Sequence, residues 1–155
     1  MRMPSPLGPI TLVAHDAALV GAWFDAQKHY PSQPQWTRVN RHPVLQMAID
    51  QLREYFAGLR KTFDLPLDLS AGTPFQQRVW HELLAIPLGH TVSYGCISER
   101  LGQTKAVRAV GGAVGRNPIG IIVPCHRVIG ANGTLTGYAG GLDRKTALLQ
   151  LEGIL

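Results

Sequence analysis

The stretch SYGCISERLGQTKAVRAVGGAVG, residues 93–115, decides how this 155-residue chain is organised. Ser93 is placed to cap a short helix over 94–101 that Gly102 ends, and Thr104 caps a second running from residue 105 to about 115. Helix, a turn of three or four residues containing glycine, then helix is the outline of a helix-turn-helix. Laid out at helical periodicity, the second helix has two faces. Val107, Val110 and Val114 form a stripe suited to a core, while Arg108, Gly111, Gly112 and Gly115 lie opposite. Each of those glycines costs roughly 1 kcal/mol relative to alanine. Either a bulky partner approaches the backbone there with Arg108 beside it, or another helix packs close; the pattern alone favours neither.

Upstream, Thr73, Pro74 and Gln76 form a capping box for a helix over 74–86, with Phe75, Val79, Leu83 and Ile86 as its buried stripe. Residues 70–73 read as a boundary. Before it, apolar segments 10–14 and 18–24 flank His15, Asp16 and Ala17 as a hairpin, and residues 26–42 are a polar, proline-rich loop. Pro43 opens a helix with Leu45, Ile49, Leu52 and Phe56 on one face and Gly58 as its stop. Phe63, Leu65, Leu67 and Leu69 alternate with polar residues and Pro66, the pattern of a short strand near a sheet edge. The expected class is α+β: an N-terminal α/β domain over 1–69 built on a small antiparallel sheet, and a helical C-terminal domain over 73–155.

Fifteen Lys and Arg against ten Asp and Glu give a net charge of +5. Residues 1–70 hold seven basic and six acidic side chains, whereas 71–155 hold eight and four together with 14 of the 17 glycines. An anion-binding surface therefore belongs in the C-terminal half. Two cysteines, Cys96 and Cys125, build neither a disulfide framework nor a four-cysteine zinc site, and suit a reducing compartment. The first residues lack the charge-then-apolar pattern of a signal peptide, and the longest apolar run, 119–123, is far below membrane-spanning length. A cytoplasmic protein without a membrane anchor, metal or cofactor is expected.

Residues 117–130, NPIGIIVPCHRVIG, carry the chemistry. Cys125 and His126 stand side by side after an apolar run that Pro124 interrupts, and His126 and Arg127 place potential positive charge near the sulfur, which favours thiolate. Neighbouring side chains of an extended chain point apart, so direct contact between cysteine and histidine requires a backbone turn, and a bridging water is the alternative. A base of this kind needs a carboxylate to orient it. Glu82, Glu99, Asp143 and Glu152 are the candidates, and spacing does not choose among them. Downstream, Asn132 and Gly133 mark a turn, residues 137–141 form a glycine-rich loop around Tyr138, and 142–155 close the chain as a helix.

The segments 124–128 (PCHRV), 92–95 (VSYG), 108–113 (RAVGGA), 117–118 (NP) and 137–141 (GYAGG) together resemble the O6-alkylguanine-DNA alkyltransferases, also called methylated-DNA–protein-cysteine methyltransferases, and stand along the chain in that family's order. The resemblance is nearly continuous over residues 73–155, while the N-terminal part matches in general layout. It implies a ribonuclease-H-like N-terminal domain and a winged-helix-like C-terminal domain. It further implies that Cys125 accepts the alkyl group from O6-alkylguanine in double-stranded DNA, once and irreversibly, with His126 as water-mediated base, Glu152 as its orienting carboxylate and Asn117 bracing the turn. By the same resemblance Arg108 replaces a flipped nucleotide, Tyr94 helps to rotate the phosphate, Gly111 and Gly112 let the minor groove approach, and Tyr94, Val128, Tyr138, Ala139 and Gly120 line the base pocket.

Where some relatives carry proline, Gly120 implies a roomier pocket that accepts longer alkyl groups or O4-alkylthymine. A monomer is expected, with cooperative assembly on DNA left open, and Cys96 is assigned to core filling. Two rivals are a non-catalytic lesion-binding relative, against which Cys125 argues, and a Cys-His hydrolase, which leaves Arg108 and the glycine face unexplained.

Overall fold

The computed structural model describes residues 1–32 and 35–155; Gln33 and Pro34, within the expected 26–42 loop, lie outside the described residues. Strand β1 (Arg2–Met3) pairs antiparallel with β2 (Ile10–His15), which pairs antiparallel with β3 (Ala18–Phe24). The hairpin turns on Asp16 at φ 51°, a left-handed conformation that a short polar side chain tolerates. A register shift between Val13 and Ala14 sits next to it. Strand β1 went unread in the sequence, since two residues carry no periodicity.

Helix α1 (Pro43–Phe56) packs against this sheet. Its buried face carries Leu45, Ala48, Ile49, Leu52 and Tyr55, so Tyr55 occupies the inward position that the sequence pattern assigned to Phe56. The expected strand over 63–69 is a single parallel bridge, Leu19 to Leu67. Pro66 has no N–H to extend a ladder; its carbonyl accepts from Leu19 N at 2.8 Å and Asp68 N returns a bond to Leu19 O at 2.9 Å.

In the C-terminal half, α2 (Pro74–Leu84) begins at the expected capping box, with Thr73 and Gln76 each bonding the other's backbone. It ends two residues before the expected limit. Strand β4 (Val92–Ser93) leads into α3 (Tyr94–Arg100), capped by the Ser93 hydroxyl on Cys96 N. Helix α4 (Val107–Gly115) starts two residues later than expected. Ala106 N bonds Gln103 O at 2.9 Å, closing a tight turn around Thr104, so Thr104 is not the cap and residues 101–106 separate the helices. Trp80 Nε1 donates to Ala113 O at 2.8 Å and ties α2 beneath α4. Val110 and Val114 are buried as expected, but Val107 is exposed.

A one-turn 3-10 helix (Cys125–Arg127) follows, then β5 (Val128–Ile129), parallel to β4. Helix α5 (Leu142–Leu151) closes the fold. It ends in a Schellman motif: Gly153, at φ 81°, donates to Gln150 O and Ile154 N to Leu149 O, leaving Glu152 as the C-cap.

The two halves share one buried cluster that includes Leu12, Leu52, Leu83, Val123 and Leu148. They are also joined through backbone. Ala22 N donates to Pro118 O at 2.9 Å and Gly120 N to Ala22 O at 3.0 Å, so the segment before the cysteine is laid against β3 as an added strand position. This pairing covers part of the edge of β3 and fixes the height of the 117–125 segment over the sheet.

Candidate active site

Residues 117–125 reach the cysteine by a chain of short-range bonds. Asn117, buried, accepts from Ile119 N through Oδ1 at 3.0 Å and donates from Nδ2 to Val123 O at 2.7 Å, spanning the turn from the inside. Ile122 N bonds Gly120 O, Val123 N bonds Ile119 O and Cys125 N bonds Val123 O. Between them Ile121 takes φ 69°, a costly conformation for a β-branched residue that this web of bonds holds in place. At Gly120 an added Cβ would meet the Ala22 carbonyl oxygen at 3.2 Å. Close approach of two backbones is what glycine supplies there.

Cys125 is 6% exposed, and burial pushes its thiol above the ordinary range despite opposing contributions from Asn117 and from the charge of Lys145. The sequence argument for a lowered value fails because Arg127 turns away. Arg127 Nε donates to Glu152 Oε1 at 2.7 Å, Nη2 to Oε2 at 3.1 Å and Nη1 to Ile86 O at 2.7 Å, so its charge is committed to a two-point clamp on a carboxylate. Cys96, expected as core filling, is half-buried.

Of the four candidate carboxylates it is Glu152 that meets the histidine: His126 Nε2 lies 2.6 Å from Glu152 Oε2, both side chains fully buried. Burial lowers the imidazole's pKa, and the nearby carboxylate only partly restores it, so His126 is neutral at neutral pH. Its Nε2 then carries the proton given to Glu152, and Nδ1, buried and without a hydrogen-bond partner among the described residues, carries the lone pair. Glu152 would be raised by burial alone, but bonds from His126, Arg127 and Tyr55, joined by the charge of His126 once acid protonates it, outweigh that and bring it to about 2.

Two buried polar residues here were missed in the sequence. Lys145, 1% exposed, donates from Nζ to Val128 O at 2.6 Å and Thr136 O at 3.1 Å. Tyr55 on α1 donates to Glu152 Oε2 at 2.5 Å. The signal for Lys145 was present: with Leu148, Leu149 and Glu152 it falls on one face of α5, an apolar stripe carrying two opposite charges.

Burial is the largest cause of the raised Tyr138 phenol; it lies close enough to Glu152, and to Cys125 when that is a thiolate, for their negative charge to raise it further, against the charge of Arg144. Its ring lies over Gly140, where a Cβ would come within 2.5 Å of it. Ala139 accepts at its carbonyl from Lys28 N at 2.9 Å. The Val128 carbonyl, already taken by Lys145, keeps a second lone pair. Tyr94 accepts through its hydroxyl from Thr136 Oγ1 at 3.0 Å.

Arg108 is exposed on α4. A Cβ at Gly112 or Gly115 would meet nothing within 4 Å, and one at Gly111 would only touch the Tyr94 ring at 3.9 Å. Close helix packing therefore does not explain the glycine face, which is open surface. Among the described residues no group of three or more His, Cys, Asp or Glu is arranged to hold a metal ion, and no helix is long and apolar enough to cross a membrane.

The chain matches two family models, the DNA-binding domain of 6-O-methylguanine DNA methyltransferase over residues 74–154 and its ribonuclease-like domain over residues 2–69. It is 54% identical over 148 residues to the methylated-DNA–protein-cysteine methyltransferase of Mycobacterium tuberculosis, spanning 96% of this chain and 88% of that protein. It is 56% identical over 163 residues to the enzyme of the same name from Salmonella typhimurium, spanning 99% and 95%. The solved structure of Mycobacterium tuberculosis OGT in complex with DNA superposes with a TM-score of 0.89 at 52% identity, over 97% of this chain and 90% of that one. The resemblance first carried by residues 124–128 and their companions thus extends over both halves, and the chain belongs to the methylated-DNA–protein-cysteine methyltransferase family, the alkyl-transfer enzymes of DNA repair.

Proposed function

We propose that this chain removes alkyl groups from the O6 atom of guanine in double-stranded DNA and keeps each one on Cys125, so that every molecule acts once. The observation that carries the reading is a buried thiol one residue from a histidine whose Nε2 is committed to Glu152 and whose Nδ1 has no protein partner among the described residues. The resting thiol is neutral, and alkyl transfer requires the thiolate. His126 Nδ1 takes the proton from Sγ through a bridging water, and Glu152 stabilises the imidazolium that forms. Sulfur then attacks the alkyl carbon in line. The S–C bond forms, the C–O6 bond breaks with its electron pair going to the base, and the base takes up one proton, so thiol hydrogen has been exchanged for alkyl. No cofactor is needed for this balance.

A sulfur this buried does not reach a base inside the stack, so the nucleotide must be extruded, at a cost of a few kcal/mol. Arg108, standing beside open glycine surface, suits this step. The small residues let α4 approach the minor groove closely, and the guanidinium fills the space left by the base. The complex of the Mycobacterium tuberculosis relative with DNA supports DNA as the partner. In this reading Tyr94, Tyr138, the Ala139 N–H and the Val128 carbonyl receive the flipped base, Asn117 holds the turn, and a cytoplasmic monomer engages each lesion.

Acceptance of longer alkyl groups or O4-alkylthymine through Gly120 is tested by the ratio of rates on benzyl and methyl substrates in wild type and Gly120→Ala, a ratio that cancels any general loss from the Cβ pressing on the Ala22 carbonyl; an unchanged ratio overturns it. Proline there would also delete the N–H bonded to Ala22. A duplex carrying labelled O6-methylguanine tests the whole reading: one equivalent of label on the wild type and none on Cys125→Ser supports it. Tight lesion binding without transfer indicates a lesion-binding protein, and release of label over many turnovers a hydrolase.

A further inference from the structure

Glu152 is a shared acceptor. Its Oε1 takes one bond from Arg127 Nε, whereas its Oε2 takes three: from Tyr55 Oη at 2.5 Å, His126 Nε2 at 2.6 Å and Arg127 Nη2 at 3.1 Å. Tyr55 is 2% exposed, stands on α1 in the N-terminal half, and is 97 residues distant in sequence from the carboxylate it reaches. A tyrosine with that ring position needs no hydroxyl to fill the core; phenylalanine would pack equally among Phe56 and Phe63, the aromatic rings beside it. The hydroxyl is aimed instead at the one oxygen that also holds the histidine.

We propose that Tyr55 is a positioning residue of the proton relay, through which the N-terminal domain sets the basicity of His126. The proposal rests on His126 acting as the base for Cys125. Two donors on one carboxylate oxygen draw on the same negative charge. As His126 takes up a proton, the stabilisation it receives from Glu152 is smaller while Tyr55 holds its bond. The hydroxyl thus adds to burial in keeping the imidazole neutral and ready to accept, and helps to keep the carboxylate ionised beside Arg127. The groups that face this pair are Arg127 and Cys125 on the 3-10 turn, Lys145 on α5, Tyr138 on the glycine-rich loop and Tyr55 itself on α1. Of these, only Tyr55 belongs to the N-terminal half.

The test is the pH dependence of the single-turnover methyl-transfer rate, measured with the full chain as wild type and Tyr55→Phe, beside an NMR titration of the His126 ring nitrogens in 15N-histidine protein. Loss of the donor moves the acid limb and the His126 titration to higher pH by roughly half a unit or more. Replacing Tyr55 by 3-fluorotyrosine, a stronger donor of the same shape, moves both the opposite way, and carries the test if the phenylalanine variant folds poorly. Profiles that coincide with wild type, or shift in the reverse sense, overturn the proposal. If the wild type takes up no methyl group, the reading of Cys125 fails instead, while the NMR titration still decides the role of Tyr55.

Discussion

Arg127 and Glu152 meet through two parallel bonds of 2.7 and 3.1 Å, with neither side chain more than 7% exposed, and this pair holds the carboxylate on which His126 rests. Removing one partner of such a pair leaves the other charge buried and uncompensated, at a cost of about 3–5 kcal/mol. Glu152→Gln is therefore expected to lower the unfolding free energy by that amount and to slow alkyl transfer, measured by urea unfolding and a single-turnover assay. A drop below about 1 kcal/mol would mean that the clamp contributes no more than a surface pair.

Acid should weaken the fold in two stages. His126 sits below its ordinary 6.5 in the folded state, so the unfolded chain binds its proton first, and stability falls as pH drops below 6.5. Glu152 sits at about 2 against 4.5, so its contribution is present above 4.5 and is lost as pH falls from there toward 2. Denaturant midpoints measured from pH 8 down to pH 2 should show both declines. His126→Asn should flatten the first, and Glu152→Gln the second.

Arg108 is exposed and makes no side-chain hydrogen bond or ion pair among the described residues, so Arg108→Ala should leave the thermal midpoint unchanged. If it supports the extruded nucleotide, repair of a lesion in duplex DNA should slow about tenfold or more. Reaction with the free alkylated base, which needs no extrusion, should keep its rate. Equal losses on both substrates would contradict that role.

Gly112 offers a separation of stability from binding. Nothing lies within 4 Å of the position its Cβ would occupy, so Gly112→Ala should stabilise α4 by about 1 kcal/mol. The same methyl group lies on the surface assigned to the minor groove, so duplex affinity should fall. A variant that melts higher and binds DNA as tightly as wild type would remove the glycine face from the interface.

Much of this was legible in the chain because the signals were local. The capping box at Thr73 and Gln76, the paired apolar runs of the hairpin, and the opposed faces of α4 each lie within one or two turns of sequence. The start of α4 was misplaced because the Gln103–Ala106 turn competes with the Thr104 cap, and 63–69 failed as a strand because alternation counts side chains, not ladder donors. Proximity in sequence also misled at Cys125, where Arg127 serves Glu152 instead. Tyr55 on Glu152 had no local signal, since an inward tyrosine on an amphipathic helix reads as core and its partner is 97 residues away.

The most direct test of the account is the intact mass of the protein before and after incubation with a duplex containing one O6-methylguanine, followed by peptide mapping. The expected result is a stoichiometric gain of one methylene, located on Cys125 alone and absent in Cys125→Ser. No gain in mass, or a gain on Cys96, would contradict the assignment of Cys125 as the alkyl acceptor.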